Sequence, residues 1–278
     1  MTVKEAYINC KKILCDNSFE GYDFEALTLI KAVTGFDRLG IINHGHNELE
    51  QSQTEKLDLY IKQRLKHIPL QYIIGSWSFM GFDFNVGDGV LIPRDDTEVV
   101  VNLCLDFLSN RTDKKVIDLC AGSGAISVAV SNLANAEVTA VELSDKAFNF
   151  LEKNINNTSV TAYKGNILDC HKDFEDNKYD LIVSNPPYIK REDIKSLQSE
   201  VQFEPVMALD GGESGFDFYE NIIENWSSKL KKGGALAFEL GEEQADYVSA
   251  LMKSKGFSDI RTELDFGGVQ RAIIGTML

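Results

Sequence analysis

The chain has 278 residues, 44% hydrophobic and 26% charged, which suits a globular protein of one large or two modest domains. Its formal charge of −15 is uneven: residues 1–80 carry 9 Lys+Arg against 10 Asp+Glu, leaving 19 against 33, or −14, for residues 81–278. Such a balance argues against free duplex DNA as a partner, since that binding relies on neutralising phosphates, and the strand-sized apolar runs exclude a membrane-spanning helix.

Charges interrupt the first dozen positions of MTVKEAYINCKKIL, so no secretory leader is read there and a cytoplasmic location is expected. Residues 3–15, 23–34 and 49–67 place apolar side chains three and four apart, as amphipathic helices do. In the second, Asp23 is a candidate N-cap and Gly35 a candidate C-cap. Between the second and third lies His44-Gly-His46, in a Gly/Asn-rich loop without a carboxylate or cysteine cluster, so no metal site is expected. Five cysteines with no CxxC pair predict reduced thiols and no disulfide frame. A helical domain over residues 1–72 follows from these patterns. The next stretch, 73–94, is rich in aromatic, β-branched and glycine residues and reads as a β-hairpin linker.

From residue 95 to 278 strands and helices alternate. Strands are predicted at 116–119, 136–142, 160–163, 179–184, 234–240, 260–265 and 272–276, and helices at 125–135, 146–156, 218–230 and 243–255. Repeated βα units imply a parallel sheet covered on both faces, and the two closing strands suggest one antiparallel member. The predicted class is therefore α/β, a seven-stranded Rossmann-like domain behind a small helical one.

The strand ending at Leu119 runs into Cys120-Ala121-Gly122-Ser123-Gly124 and then a helix. Small residues are needed where a ligand approaches backbone at a helix N-terminus. Gly-x-Gly alone is a weak signal, and the third small position of a dinucleotide fingerprint is held by Ser127. Glu142 ends the following strand, 20 residues after Gly122, where a carboxylate can accept both hydroxyls of a ribose. DLCAGSG followed by VEL resembles the cofactor loop of class I S-adenosylmethionine-dependent methyltransferases.

The fourth strand runs into Asn185-Pro186-Pro187-Tyr188. Two prolines end a strand, having no N–H to donate. The turn also has a chemistry. A planar NH2 group on a carbonyl or ring has a delocalised lone pair and is a poor nucleophile. Holding both its hydrogens, on the Asn185 side-chain oxygen and the Pro186 carbonyl, would orient its nitrogen towards a methyl donor. Tyr188 offers a flat face for stacking. No strong general base is required, because methylation makes the nitrogen acidic. The same turn serves methylation of adenine, cytosine or glutamine nitrogen, so it does not name the substrate.

Longer stretches do. PLQYIIGSWSFMGFDFNVGDGVLIPRDDTEVVV, SEVQFEPVMALDGGESGFDFY, FELGEEQ and GGVQRAIIG resemble the bacterial release-factor glutamine methyltransferases, the HemK/PrmC family, over nearly all of the chain. That resemblance implies methylation of the side-chain amide of the glutamine in the Gly-Gly-Gln motif of peptide chain release factors. S-adenosyl-L-methionine would be the donor, S-adenosyl-L-homocysteine the product, and no metal would be used. It implies cofactor binding by Cys120–Gly124, Glu142, Asn166, Ile167 and Asn185. Asn185, Pro186 and Tyr188 would be the catalytic set, and Asn185, Pro186, Pro187 and Tyr188 would hold the glutamine. The helical domain would dock the release factor, and a monomer is expected. Three positions depart from the family pattern: Cys120 stands for its usual Gly, Asp95 for Pro, and Asn166 for a frequent Asp. A DNA or RNA base N-methyltransferase is the rival reading, opposed by the −14 charge of residues 81–278 and by the lack of a target-recognition domain. An idle cofactor-binding scaffold is a second rival, opposed by the retention of Asn185 and Tyr188.

Overall fold

The computed structural model of the protein describes residues 1–278, and the chain divides into two units. The first is Met1–Gly75 with the short stretch Ser199–Phe203. It holds α1 (Val3–Asp16), α2 (Tyr22–Thr34), α3 (Arg38–His44), α4 (Gln51–Arg64) and α5 (Leu70–Ile74). Periodicity finds α1, α2 and α4; α3 and α5, of seven and five residues, are too short to display a repeat. Cys10, Leu14, Leu29, Ile30 and Leu57 form the centre of its core. A capping box opens α1: the Thr2 hydroxyl accepts from the Glu5 amide and the Glu5 carboxylate from the Thr2 amide.

Gly35 closes α2 in the left-handed conformation, as read from the sequence. Asp23 is not its cap. Gly21 holds that position, and Asp23 instead accepts from the Tyr7 hydroxyl (2.8 Å), Lys11 (2.6 Å) and Arg38 (2.7 Å). Within this unit the buried Arg64 guanidinium makes a bidentate pair with Glu25, at 2.6 and 2.9 Å, and also reaches Glu200. All five cysteines are free, and no group of three or more His, Cys, Asp or Glu side chains is arranged to hold a metal. His44 stacks on the Phe36 ring.

Ser76–Gln198 and Glu204–Leu278 form the second unit. It opens with the antiparallel hairpin β1 (Ser76–Phe79) and β2 (Phe82–Asn85). Met80 and Gly81 between them both have positive φ, 50° and 81°, the backbone that a tight two-residue hairpin demands. The hairpin is thus shorter than the stretch 73–94, whose first residues close α5.

Next come α6 (Thr97–Leu108), β3 (Lys115–Leu119), α7 (Ala125–Ala134), β4 (Glu137–Glu142), α8 (Asp145–Asn154), β5 (Val160–Lys164) and β6 (Tyr179–Ser184). They are followed by α9 (Asp217–Trp226), β7 (Leu230–Glu239), α10 (Ala245–Ser254), β8 (Phe257–Leu264) and β9 (Gln270–Met277). The seven strands β3–β9 make one sheet in the order β5-β4-β3-β6-β7-β9-β8. β9 runs antiparallel to both its neighbours, and the rest of the sheet is parallel.

Side chains alternate across the sheet as the two-residue strand repeat requires. Val116, Leu181 and Val183 pack with α6, α7 and α8 on one face. Ile117, Leu119 and Ile182 pack with α9 and α10 on the other, around the fully buried Trp226 and Tyr219. The chain leaves β3 towards β4 on one side and later returns as β6 on the other. Between β3 and β6 the strand order reverses, and open α/β sheets bind ligands at such a point, beyond the carboxyl ends of the strands.

Candidate active site

Two turns meet at that point. The first follows β3, where Cys120, Gly122 and Gly124 all have positive φ, at 62°, 56° and 83°. Gly124 caps α7, and a Cβ there would lie 2.6 Å from Leu151 Cδ1. A Cβ on Gly122 would meet nothing within 4 Å, because that backbone faces an open cleft. Glu142, at the end of β4, is buried yet lines the same cleft. Its Oε2 accepts from the Gly122 amide at 2.8 Å and its Oε1 from the Ser144 amide at 2.6 Å. Each carboxylate oxygen keeps a lone pair beyond these bonds. Glu142 is therefore not merely the cap of α8; that is Ser144, whose hydroxyl accepts from the Ala147 amide.

Behind the loop Asp118 is fully buried. Its Oδ2 accepts from the Ser127 hydroxyl at 2.5 Å, while Oδ1 has no partner. Burial pushes its carboxyl up to about 7, against the Ser127 hydrogen bonds and with help from the Glu142 charge. This explains the serine at a position where a dinucleotide fingerprint has a glycine: its hydroxyl satisfies the buried acid.

The second turn follows β6. The Ser184 hydroxyl donates to the Leu119 carbonyl at 2.7 Å, tying the ends of β6 and β3 together. The Asn185 amide donates from Nδ2 to Thr97 Oγ1 at 3.4 Å, leaving Oδ1 without that partner. The Tyr188 hydroxyl donates to Glu239 Oε1 at 3.2 Å, and Thr97 donates to Glu239 Oε2 at 2.6 Å. The Tyr188 carbonyl accepts from Gln244 Nε2 at 3.0 Å. On its other side Ile189 pairs with the strand-like stretch at Leu209–Gly211, and a Cβ on Gly211 would sit 2.7 Å from Tyr188 Cα. The stretches 199–219 and 238–244 thus brace the turn at 185–188.

The space in and before the cleft is about 960 Å³, open solvent at its mouth included. Of the residues singled out in the sequence, Cys120, Ala121, Gly122, Ser123, Glu142, Asn166, Ile167, Asn185 and Pro187 line it. Gly124, Pro186 and Tyr188 do not: Gly124 is packed on Leu151, Pro186 is buried, and Tyr188 turns its hydroxyl to Glu239. Asn166 lines the wall, but its side-chain oxygen accepts from the Leu168 amide at 3.1 Å and so holds its own turn. The Ile167 carbonyl takes the Trp226 indole N–H at 2.9 Å.

Sequence reasoning missed Thr97, Ile92 and Met207, which also line the wall. Ile92 is held by Glu204, a buried carboxylate that accepts from the Ile92 amide at 3.2 Å and pairs with Arg94. These residues fall within the stretches 69–101 and 199–219, but a contact 112 residues apart cannot be read from local pattern.

Comparison with known proteins agrees with this architecture. A family model described as "Methyltransferase small domain" matches residues 94–203, and one described as "PrmC N-terminal domain" matches residues 5–75. Among solved structures, a methyltransferase from Pyrococcus furiosus is similar with a TM-score of 0.53 at 20% identity, over 72% of this chain and 90% of that one. The hMettl16 catalytic domain, solved in complex with MAT2A 3'UTR hairpin 6, gives 0.58 at 15% identity, over 82% of this chain and 83% of that one. At those identities the likeness is one of fold. The release factor glutamine methyltransferase of Clostridium acetobutylicum is 36% identical over 99% of this chain and 98% of its own length. That of Geobacter sulfurreducens is 36% identical over 99% and 96%. Relatives matched end to end at this level place the chain in the release factor glutamine methyltransferase family.

Proposed function

We propose that the protein methylates the side-chain amide nitrogen of the glutamine in the Gly-Gly-Gln motif of peptide chain release factors. S-adenosyl-L-methionine supplies an electrophilic methyl on a sulfonium. The residues present fit that donor: Gly122 leaves the cleft floor free of a side chain, and Glu142 keeps lone pairs for ribose hydroxyls. Cys120–Ser123, Asn166, Ile167 and Asn185 would complete the binding wall, with Gly124 shaping the loop from behind.

Asn185 carries the mechanism. Its Nδ2 faces Thr97, so Oδ1 is the atom free to accept one hydrogen of the glutamine amide. The Pro186 carbonyl, in the same turn though not on the cleft wall, would take the other; Pro187 walls the pocket, and Tyr188 braces the turn through Glu239. Fixing both hydrogens aims the nitrogen at the methyl and favours localisation of its lone pair. A proton then leaves the methylated nitrogen to water without a strong base. The helical unit, at −2 where the remainder carries −13, would supply docking surface for the protein substrate. A cytoplasmic monomer belongs to the same proposal; no helix is long and apolar enough to cross a membrane.

The observation that carries this reading is the Asn185 amide on the cleft wall, in a chain that matches its family from end to end. Its test is radiolabelled methyl transfer to three acceptors: a release factor, the same factor with that glutamine changed to alanine, and duplex DNA. Label is expected on the first alone. Equal labelling of the alanine form, or labelling of DNA, would overturn the assignment.

A further inference from the structure

Glu239 closes β7 with a side chain only 2% exposed, yet it is not part of the cleft wall. Both its oxygens are taken by hydroxyls of residues next to the reacting centre, Thr97 on Oε2 and Tyr188 on Oε1. Thr97, at the start of α6, is itself buried and lines the cleft beside Asn185. A buried acid so placed, touching no ligand surface, calls for a role.

We propose that Glu239 is a positioning residue that, through Thr97, fixes which way round the Asn185 amide sits. This rests on the reading of Asn185 as the holder of the glutamine amide. The logic is one of donors and acceptors. An ionised carboxylate only accepts, so it claims the single hydroxyl proton of Thr97 at 2.6 Å. The Thr97 oxygen can then only accept from its other neighbour. On Asn185 the sole group able to donate is the NH2, which is held towards Thr97 and leaves Oδ1 for the substrate. If the Thr97 proton were free, it could donate to Oδ1 and reverse the amide. A reversed amide would set NH2 against the glutamine NH2, two donors with no acceptor between them.

The same arrangement has a pH dependence. Burial raises the Glu239 carboxyl to about 7, against the hydrogen bonds from Thr97 and Tyr188 and the Arg271 charge, with Asp96 adding to the rise. The other ionisable groups around it are the buried Tyr219, whose hydroxyl donates to the Glu239 main-chain carbonyl, and Asp265, which pairs with Arg271. The Arg94 charge also acts on Tyr188. Once protonated, Glu239 can donate to Thr97 and release the Thr97 proton towards Asn185. Alignment is therefore complete above that pH and lost as pH falls through it.

Single-turnover methylation of a release factor across pH 5.5–9 tests this with E239Q, T97V and T97S, with cofactor affinity measured by calorimetry as a check on folding. The wild type should lose rate below about pH 7. E239Q should be at least ~10-fold slower at pH 8, without that acid limb, and with cofactor affinity and release-factor KM within ~2-fold of wild type. T97V should match it, and T97S should return to within ~3-fold of wild type because the hydroxyl is restored. Wild-type rates in E239Q or T97V, or an acid limb that survives in E239Q, would overturn the inference. Activity in N185A would instead remove the reading of Asn185 on which it rests, so the two failures are distinct.

Discussion

At Cys120 φ is 62°, a left-handed conformation that a side chain disfavours and glycine adopts freely. The thiol is no compensating nucleophile, since burial, followed by the Glu142 charge, raises its pKa and keeps it protonated. Cys120→Gly should relieve strain of about 1 kcal/mol while surrendering a comparable amount in chain entropy. Its urea midpoint should match or slightly exceed that of the wild type, with cofactor affinity unchanged. Cys120→Val should lose about 2 kcal/mol, because β-branching worsens the same backbone. Equal stability of the two variants would mean that this φ carries no strain. The position was legible in the sequence as a small residue in a ligand loop. The role of Ser127 was not, because nothing local says that Asp118 behind it is sealed from water.

Among the elements, β3 to β6 and α7 to α8 are readable because strand and helix repeats alternate with clear turns between them. α6 is not. Its sequence TEVVVNLCLDFL carries three consecutive valines, whose β-branching favours strands and blurs the helical period. Packing decides instead, with Val100, Val101, Cys104 and Leu108 buried against the sheet. That omission also hid Thr97, the first residue of α6 and the partner of Asn185.

The turn at 185–188 depends on a neighbouring loop as much as on its prolines. Gln244 pairs both ends of its amide there: Oε1 accepts from the Gly241 amide, and Nε2 donates to the Tyr188 and Gly215 carbonyls. Gln244→Leu leaves several of these groups buried and unpaired, which should cost about 2–4 kcal/mol. Methylation should fall with it, while cofactor binding at the glycine loop persists. Denaturant titration and calorimetry on the one variant check both parts.

At the level of the whole molecule, the sequence separates a near-neutral helical part from an acidic α/β part, and the two structural units follow that division closely. Ser199–Phe203 breaks the pattern by belonging to the helical unit although the chain on both sides belongs to the other. Its Glu200 pairs with Arg64, 136 residues earlier, so only the folded chain reveals the excursion. The proposed mechanism rests on one atom of the α/β unit, Asn185 Oδ1. Single-turnover methylation of an intact release factor by Asn185→Ala tests its role most directly, with cofactor affinity measured alongside. The rate should fall by about 10²-fold or more, the scale expected when a reacting group is misplaced by about 1 Å, with cofactor binding still measurable. A near-normal rate would mean that Asn185 only ends a strand, and would contradict the mechanism.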